Sequence, residues 1–250
     1  MLKNQTIDKL YALRLNGMIK AYTEQLKQSD VESLTFNERF GLLIDCEIEE
    51  KENRRLQSRL RKAKLKQQAS MEDIDYHTPR GLDKALLLEL ATCKWIKAHQ
   101  NILIVGSTGT GKTFLSCSLA HKACLEGFSA YYCRLPRLLP ELIIAKGDGS
   151  YIKRMEGIAK MDVLILDDWA LMTLVADHRR DLLEILDDRH DKRSTIVTSQ
   201  LPVKLWHEAI DDNTLADAIL DRLIHNAHRF ELKGESMRKI LSKQQKKEVE

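Results

Sequence analysis

The sequence predicts an α/β fold in which helices flank a parallel sheet, preceded by a small all-helical domain. Five short apolar segments alternate with helical stretches in the second part of the chain, a pattern typical of parallel sheets with right-handed crossovers. Near the N-terminus, apolar residues recur every three or four positions, as in amphipathic helices. The pattern changes after residue 68, so we predict domains at residues 1–68 and 69–250.

The all-helical domain is predicted from two segments. Apolar residues recur at helical spacing over Thr6–Gln28, which predicts one amphipathic helix. A second helix is predicted after Thr35, because Thr35 and Glu38 have the spacing of a capping box. The pattern leaves open whether this helix continues into the basic segment 54–66 or breaks before it. The segment "SMEDIDYHTPRGLDKA" then breaks the helical pattern and is predicted to be a linker, because Thr78 within it precedes a proline, which disfavours helical geometry.

The predicted strands are short, apolar and rich in branched side chains. Unbroken apolar runs of this kind are typical of strands buried on both faces of a parallel sheet. The first strand is followed by a predicted helix over Thr113–Cys124, with Gly127 positioned to end it. The predicted strands are Ile102–Val105, Ala130–Cys133, Val163–Leu166, Thr195–Thr198 and His228–Leu232.

A glycine-rich loop connects the first predicted strand to that helix. It matches the phosphate-binding pattern G-x-x-x-x-G-K-[ST] with Gly106, Ser107, Thr108, Gly109, Thr110, Gly111, Lys112 and Thr113. Glycines let successive amide hydrogens converge on phosphate oxygens, and the helix N-terminus adds partial positive charge. We expect Lys112 to bind the β- and γ-phosphates and Thr113 to ligate Mg²⁺. Phe114 completes this predicted nucleotide-binding set; a turn that binds nothing is the alternative.

Two further strands end in polar residues. Val163–Leu166 precedes Asp167 and Asp168, which predicts two carboxylates at the carboxyl edge of the sheet, where ligands bind in open α/β folds. We expect Asp167 to hold Mg²⁺ through water and Asp168 to orient the attacking water; an acidic loop start is the alternative. The fourth strand ends in Ser199 and Gln200, either of which is a candidate sensor of the γ-phosphate, and Gln200 joins the catalytic candidates.

Composition limits the class of protein. At 250 residues and 28.8 kDa, the chain has room for one sizeable core and a smaller appendage. No apolar run approaches the ~20 residues of a membrane helix, and the N-terminus has no apolar signal-peptide region. We therefore expect a cytoplasmic protein with no membrane partner. Five scattered cysteines without a CxxC pair are typical of reduced, packed thiols.

Positive charge is concentrated in one segment. The net charge is +3, but residues 54–66 hold seven basic and no acidic residues, so the remainder carries +3 − 7 = −4. Solvated helix faces normally mix charges of both signs, whereas a block of one sign favours contact with a polyanion. We predict DNA contacts here, with a solvated helix face as the alternative. The predicted contacts are Arg54, Arg55, Arg59, Arg61, Lys62, Lys64 and Lys66.

These motifs, followed by "AILDRLIHNAHRF" and "GESMRK", resemble the AAA+ ATPases of the initiator and helicase-loader clade. In particular, the chain is similar to IstB, the helper ATPase of the IstA/IstB insertion-sequence family. The resemblance includes "ENRRLQSRLRKAKL", "EDIDYHTPRGLDKALLLELATCKWI", "LPRLLPEL" and "ELKGESMRK", and so extends over nearly the whole chain. It implies a P-loop AAA+ fold that uses ATP and Mg²⁺.

The resemblance also implies roles for residues outside the phosphate loop. Arg222 in "LDRL" matches the arginine finger that completes a neighbouring subunit's ATP site, and Arg238 in "GESMRK" matches the second sensor, which acts in its own subunit. An inserted helix pair steers subunits into a spiral around nucleic acid in the initiator clade. Lys146, Lys153 and Arg154 would line it here, with ordinary surface charges as the alternative.

Two features depart from the family pattern. The acidic pair is Asp-Asp where many relatives have Asp-Glu, which predicts slow hydrolysis. Only 18 residues follow the last predicted strand, too few for a full helical lid, so we expect a reduced C-terminal lid and an assembly that depends more on the N-terminal helices.

The function that the resemblance implies is that of a transposition helper. It is an ATPase, expected to be stimulated by DNA, that assembles on double-stranded DNA as an ATP-dependent homo-oligomer and recruits or stimulates an IstA-like transposase. A DnaC-like replicative helicase loader is the alternative. A small-molecule kinase is disfavoured, because the two arginines match neighbour-sensing positions, and the absence of an N-K-x-D motif disfavours a GTPase.

Overall fold

The computed structural model of the protein describes residues 2–27 and 33–240. Its contacts divide the chain into two units, Met1–Ser58 and Arg59–Glu250. The predicted domain boundary between residues 68 and 69 stays a prediction. Within the described ranges, no helix is both long enough and apolar enough to cross a membrane.

The N-terminal part of the chain is helical. Its helices are α1 (Leu2–Ala12), α2 (Asn16–Gln25) and α3 (Phe36–Ala63). The prediction of one helix over Thr6–Gln28 is wrong, because the chain leaves helical geometry at Arg14, where φ is 58°. Gln28, at the end of the predicted helix, lies outside the described residues.

A carboxylate on α3 explains why the chain breaks before α2. Glu47 Oε2 accepts hydrogen bonds from the backbone N–H groups of Gly17 at 2.7 Å and Met18 at 3.2 Å, at the start of α2. In one continuous helix these amides would bond to carbonyls four residues earlier. Glu47 thus caps α2 from outside and places negative charge at its N-terminus, where the helix dipole favours it.

Helix α3 begins as the sequence predicts and then continues. The Thr35 N–H donates to Glu38 Oε2 at 2.8 Å, and the Glu38 N–H donates to the Thr35 hydroxyl at 3.4 Å, so the predicted capping box is confirmed. The helix runs without a break through most of the basic segment to Ala63, which decides between the two alternatives. Lys64 follows with a φ of 50°.

A parallel sheet forms the centre of the second unit. Its strands are β1 (Asn101–Gly106), β2 (Ala130–Arg134), β3 (Val163–Trp169), β4 (Ser194–Ser199) and β5 (Ala227–Leu232). The strand order is β2-β3-β4-β1-β5 and the pairings are parallel, so the carboxyl ends lie along one edge. The five predicted strands are confirmed. Strand β3 extends past Leu166 to Trp169, with an irregular register between them.

Helices connect the strands and flank the sheet. They are α4 (Lys84–Leu90), α5 (Lys94–Lys97), α6 (Lys112–Leu125), α7 (Leu135–Asp148), α8 (Tyr151–Ala159), α9 (Ala176–Arg189), α10 (Trp206–Ile210) and α11 (Asn213–Ile224). The predicted helix after the glycine loop is confirmed as α6. The predicted helix pair between the second and third strands is confirmed as α7 and α8, and they separate at Gly149, whose φ is +76°.

The core lies on the faces of the sheet. The inner residues of β1, β3 and β4 are fully buried, as expected for strands covered on both faces. One large apolar cluster joins the sheet to α7, α9 and α11, and within it the rings of Trp169 and Trp206 are 5.0 Å apart. This packing fixes the carboxyl ends of β1, β3 and β4, where the polar motifs lie.

Candidate nucleotide site

The predicted phosphate loop lies between the end of β1 and the start of α6. Gly109 and Gly111 have φ values of +87° and +99°, in the region that favours glycine. A side chain at Gly109 would also collide with Ser236, and one at Gly111 would collide with Arg80. Backbone conformation therefore favours glycine at both positions, and close packing against Ser236 favours it further at Gly109.

Lys112 lies at the N-terminus of α6 with its side chain folded over the loop. Its Nζ donates hydrogen bonds to the carbonyl oxygens of Gly106 at 2.6 Å and Ser107 at 2.8 Å. Burial lowers the pKa of Lys112, and the nearby carboxylates of Asp167 and Asp168 oppose that shift. The ammonium is thus held by neutral carbonyl acceptors, which an anionic phosphate can replace with stronger hydrogen bonds between opposite charges.

Asp167 is buried among hydroxyl groups. It is 1% exposed, and its carboxylate accepts hydrogen bonds from Thr113 at 3.0 and 3.2 Å, from Tyr132 at 2.5 Å and from Thr198. Burial and this bond to the carboxylate raise the pKa of Tyr132. Mg²⁺ prefers oxygen ligands and keeps several waters, so the Thr113 hydroxyl beside the Asp167 carboxylate fits the cation that the sequence predicts here.

Asp168 has an unusual backbone conformation for a residue with a side chain. Its φ is 62°, in the left-handed region that Asp and Asn tolerate better than other residues. Arg134 Nε donates to Asp168 Oδ2 at 2.6 Å. The bend turns the Asp168 carboxylate toward the end of β2 and into the cavity beside the phosphate loop.

The two candidate sensors at the end of β4 differ in their surroundings. Ser199 is fully buried; its hydroxyl donates to the Trp169 carbonyl at 3.0 Å and accepts from the Leu201 N–H at 3.0 Å. Gln200 is exposed, and its Oε1 accepts a hydrogen bond from the Thr108 hydroxyl at 2.8 Å. Of the two, Gln200 is the side chain that reaches the phosphate loop.

A cavity of about 280 Å³ adjoins the phosphate loop. It brings together residues that are far apart in sequence, including Lys112, Thr113, Asp168, Gln200 and the predicted second sensor Arg238. The segment that carries Arg238 is tied to the loop, because the Met237 N–H donates to the Gly109 carbonyl at 2.9 Å. Arg238 therefore lies at the same cavity as the phosphate loop of its own chain.

Arg80 is a cavity residue that the sequence does not predict. It is 3% exposed, and its guanidinium donates to the carbonyls of Thr110 at 3.1 Å and Asp75 at 2.9 Å. Burial lowers the pKa of Arg80. Its backbone carbonyl accepts from the Lys233 N–H at 2.8 Å, so one residue connects the linker, the phosphate loop and the chain after β5.

Arg222 lies away from this cavity. Its guanidinium bonds to the Asp187 carboxylate and donates to the Ala218 carbonyl at 2.8 Å near the end of α11. It lines a different cavity, of about 260 Å³, together with Asn101 and Thr195, which lie at the amino ends of β1 and β4. Parallel strands direct these ends away from the phosphate loop, so Arg222 and Lys112 are at opposite edges of the sheet.

Several predicted DNA ligands have partners within the chain. Arg54 pairs with Glu47, Arg59 donates to the Cys124 carbonyl, Lys64 lies over the Tyr131 ring, Lys146 pairs with Asp181, and Arg154 pairs with Glu141. Lys66 points into the nucleotide cavity, where its Nζ is 3.6 Å from Asp167 Oδ2. In the part of the chain that the structure describes, four have no ion pair or hydrogen bond: Arg55, Arg61, Lys62 and Lys153.

Tyr132, Arg134 and Thr198 are further site residues that sequence reasoning missed. A signal for two of them was present, because Arg134 ends β2 and Thr198 lies near the end of β4, on both sides of the acidic pair. Arg80 had no such signal, since it precedes β1 and reaches the loop only through the fold.

Fold and site together define a class of protein, the P-loop AAA+ nucleotide-binding proteins. A family model described as IstB-like ATP binding protein matches residues 8–247, and the chain belongs to this family. A Sinorhizobium fredii protein named as an insertion sequence ATP-binding protein, y4pL, is 50% identical over 239 residues, covering 96% of this chain and 98% of the relative. A Mycobacterium tuberculosis insertion-sequence protein named for ATP binding, Rv3427c, is 32% identical, with 92% of each chain covered.

Solved structures share the fold. DnaI matches with a TM-score of 0.59 at 22% identity, covering 66% of this chain and 92% of that chain. DnaA bound to AMPPCP and single-stranded DNA matches with a TM-score of 0.56 at 17% identity, covering 74% of this chain and 56% of that chain. The DnaC helicase loader matches with a TM-score of 0.51 at 18% identity, covering 64% of this chain and 95% of that chain. These identities show likeness of fold alone.

Proposed function

We propose that the protein is a transposition helper ATPase. In this proposal it hydrolyses ATP to ADP and phosphate, assembles on double-stranded DNA as an ATP-dependent homo-oligomer, and recruits or stimulates a partner transposase. The separation of the two arginines carries the proposal. Arg238 lines the cavity beside the phosphate loop, whereas Arg222 is at the opposite edge of the sheet. Arg222 would therefore act on ATP bound to a neighbouring subunit, because the ATP site of its own subunit lies at the other edge of the sheet.

The chain's own residues would bind and orient the nucleotide. Loop amides bind phosphate oxygens, and Lys112 exchanges its carbonyl acceptors for the β- and γ-phosphates. Asp168 exchanges Arg134 for the attacking water and orients it, and Gln200 contacts the γ-phosphate from the end of β4. Mg²⁺, held by Thr113 and through water by Asp167, would neutralise phosphate charge.

The proposed arginine roles follow from electrostatics. Charge spreads over the phosphoryl oxygens during transfer, and guanidinium donors stabilise it with paired hydrogen bonds. Arg238 would act within its own subunit and Arg222 across an interface. The Asp187 carboxylate, on the exposed end of α9, would release Arg222 when a neighbouring nucleotide offers a stronger anion.

The DNA-binding part of the proposal is supported by exposed basic residues. Arg55, Arg61 and Lys62 are exposed on α3, and no ion pair neutralises them within the described ranges 2–27 and 33–240. Side chains of this kind can bind the phosphates of duplex DNA and thereby release the counterions condensed on it. The relatives' insertion-sequence names support a transposase as the partner that carries out strand transfer.

A helicase loader is the second candidate function. The fold likeness to DnaI and to the DnaC helicase loader favours it. The two functions differ in the partner, so capture from cells with Asp168→Asn as bait distinguishes them. Recovery of a transposase supports the helper, and recovery of a replicative helicase supports the loader.

The proposed function is tested by nucleotide-dependent DNA binding. Duplex DNA is titrated with the protein in ATP, in ADP and without nucleotide, and we expect ATP to strengthen binding at least about tenfold, since assembly adds contacts by mass action. Lys112→Ala should remove the response to ATP. Lys122→Ala is the matched control, because Lys122 lies on the same helix and pairs with Glu126. Equal DNA affinity of the parent in all three conditions would contradict the proposal.

A further inference from the structure

Lys66 lies at the nucleotide site although it belongs to the basic segment. Its Nζ is 3.6 Å from Asp167 Oδ2, and its side chain is 41% exposed at the cavity that Lys112 and Thr113 also line. The Asp167 side chain is 1% exposed. One end of this pair is therefore fixed and buried, and the other is a flexible cation that can reach different parts of the cavity.

The backbone that carries Lys66 is anchored on both sides. Arg59 donates to the Cys124 carbonyl at 2.9 Å, and Lys64 lies 5.8 Å from the centre of the Tyr131 ring. Ala63 and Ala69, before and after Lys66, are buried. These contacts hold the backbone on both sides of Lys66, and the four-carbon stem of its side chain lets the ammonium move by several ångströms.

The charges around Asp167 explain why the Lys66 ammonium lies beside its carboxylate. The other groups bonded to the carboxylate are the neutral hydroxyls of Thr113, Tyr132 and Thr198. A buried carboxylate is costly without compensating positive charge, and Lys66 adds to the positive charge of the nearby Lys112. A divalent cation at Thr113 and Asp167 would repel the ammonium, while a triphosphate in the cavity would attract it.

We propose that Lys66 is a second lysine ligand of the nucleotide. It neutralises Asp167 while no divalent cation is bound, and it moves onto the nucleotide's phosphate oxygens when Mg²⁺ takes its place at Asp167. The inference rests on the proposed nucleotide function of the same site. It also gives the basic segment two roles, because Lys66 lines the nucleotide cavity, whereas Arg61 and Lys62 are not among the residues that line it.

Binding experiments test this proposal without any readout of turnover. A fluorescent ATP analogue with Mg²⁺ is titrated with the parent, Lys66→Ala, Lys66→Arg and Lys62→Ala. We expect Lys66→Ala to weaken binding by about tenfold, the lower end of a charge-assisted hydrogen bond because the side chain is partly exposed. Lys66→Arg should retain most of the affinity, and Lys62→Ala, from the same segment but without an ion pair among the described residues, should match the parent.

A second titration follows Mn²⁺ by electron paramagnetic resonance without nucleotide. Removal of the competing ammonium should let Lys66→Ala bind Mn²⁺ a few-fold more tightly than the parent, and Lys62→Ala should not change. Unchanged ATP affinity in Lys66→Ala overturns the proposal, as does an equal loss in Lys62→Ala, and so does Mn²⁺ affinity that stays at the parent value. A parent that fails to bind the ATP analogue overturns the nucleotide function itself, which separates the two failures.

Discussion

At the scale of single residues, Asp168 combines the carboxylate that we propose orients water with a backbone in the left-handed region. Its φ of 62° costs most L-residues about 1–2 kcal/mol, and less for Asp and Asn, whose short polar side chains suit this region. Glutamate, which the family resemblance places here in many relatives, does not share that preference. The Asp-Asp pair is therefore consistent with the local backbone, whatever its effect on the rate of hydrolysis.

Asp168→Asn should separate nucleotide binding from hydrolysis. The amide keeps the left-handed preference and the size of the side chain but does not provide a carboxylate to orient water. We expect parent-like ATP affinity and stability with turnover reduced to background, measured by nucleotide binding, thermal unfolding and phosphate release.

Asp168→Ala is the matched comparison. It should lose turnover equally and also be about 1 kcal/mol less stable, because alanine lacks the preference for positive φ. Parent-rate hydrolysis by Asp168→Asn would show that another group orients the water.

The sequence predicts the residues of the loop better than the residues around it. Lys112, Thr113 and Asp167 follow from motifs, since their chemistry depends on short fixed spacings that a sequence displays. Arg80 and Tyr132 do not, because they reach the site through packing between segments that are distant in the chain. The charge pattern predicts Lys66 as a DNA contact for a related reason: a run of like charges does not reveal that one member lies beside Asp167.

At the scale of elements, α2 and α3 approach each other through a glycine. A side chain at Gly17 would collide with the backbone at Cys46 and Glu47. Backbone atoms cannot move aside as a flexible side chain can, so the contact depends on glycine. Gly41, on α3, has no atom of the described residues within 4 Å of the place where a side chain would begin, apart from its own helical turn.

Gly17→Ala should destabilise the N-terminal helices, and Gly41→Ala should not. The added methyl group at Gly17 forces α2 away from α3 and from Glu47, an overpacking effect of about 1–3 kcal/mol. The same change at Gly41 restricts the unfolded chain without a clash and should stabilise by about 0.4–1 kcal/mol. Urea unfolding followed by circular dichroism measures both; equal effects of the two substitutions would show that α2 and α3 do not pack as described.

The exposed basic residues of α3 are expected to make DNA binding depend on salt concentration. Replacing Arg55, Arg61 and Lys62 by alanine should weaken binding to all duplex sequences alike, because phosphate contacts carry no sequence information. Each lost contact should reduce the slope of log K against log salt by about 0.9, so the triple variant should lose up to about 2.7. Fluorescence anisotropy at several salt concentrations measures the slope.

Arg54→Ala is the control for this measurement. Arg54 already pairs with Glu47 and Glu50, so its loss should change the slope by less than one contact. A triple variant with the parent slope would show that these three residues form a solvated helix face and do not contact DNA.

The elements themselves were predictable to different degrees. The five strands were found because a buried parallel strand is an unbroken apolar run, a signal that does not depend on its neighbours. The break between α1 and α2 was missed because its cause, the Glu47 carboxylate, lies 30 residues away on α3. The apolar periodicity continues through the break, so the position of the break depends on a tertiary contact that the local pattern does not show.

At the scale of the whole molecule, the proposed catalytic parts lie at two edges of one sheet. Lys112 and Arg238 share the cavity at the carboxyl edge, and Arg222 lies near the amino ends of β1 and β4. Head-to-tail contacts between subunits bring unlike edges together and generate rings or helical filaments. Under the proposed function, each interface would then hold one complete ATP site.

Mixing two inactive variants should restore activity if Arg222 acts across an interface. Arg222→Ala supplies an intact phosphate loop and Lys112→Ala supplies an intact arginine, so roughly a quarter of head-to-tail interfaces in an equal random mixture would be complete. Because finger arginines contribute about 10³–10⁵ in rate in related chemistry, even this fraction should be visible above either variant alone. Phosphate release at rising protein concentration measures it.

The control mixture combines Lys112→Ala with Arg238→Ala. Under the proposed function both residues act in the site of their own subunit, so every interface in that mixture would lack one of them and activity should stay absent. A dead Arg222→Ala and Lys112→Ala mixture, with both variants folded and co-assembled, would exclude Arg222 as a finger in trans.

The hydrogen bond between the phosphate loop and the chain after β5 means that the cavity is completed late in the synthesis of the chain. The Gly109 carbonyl is bonded by the Met237 N–H, and Arg238 follows. At 5–20 residues per second, a ribosome needs about 12–48 s to add the first 238 residues. Throughout that interval the nascent chain has a phosphate loop but not yet Arg238, so this side of the cavity is added only after the last strand, β5, has been made.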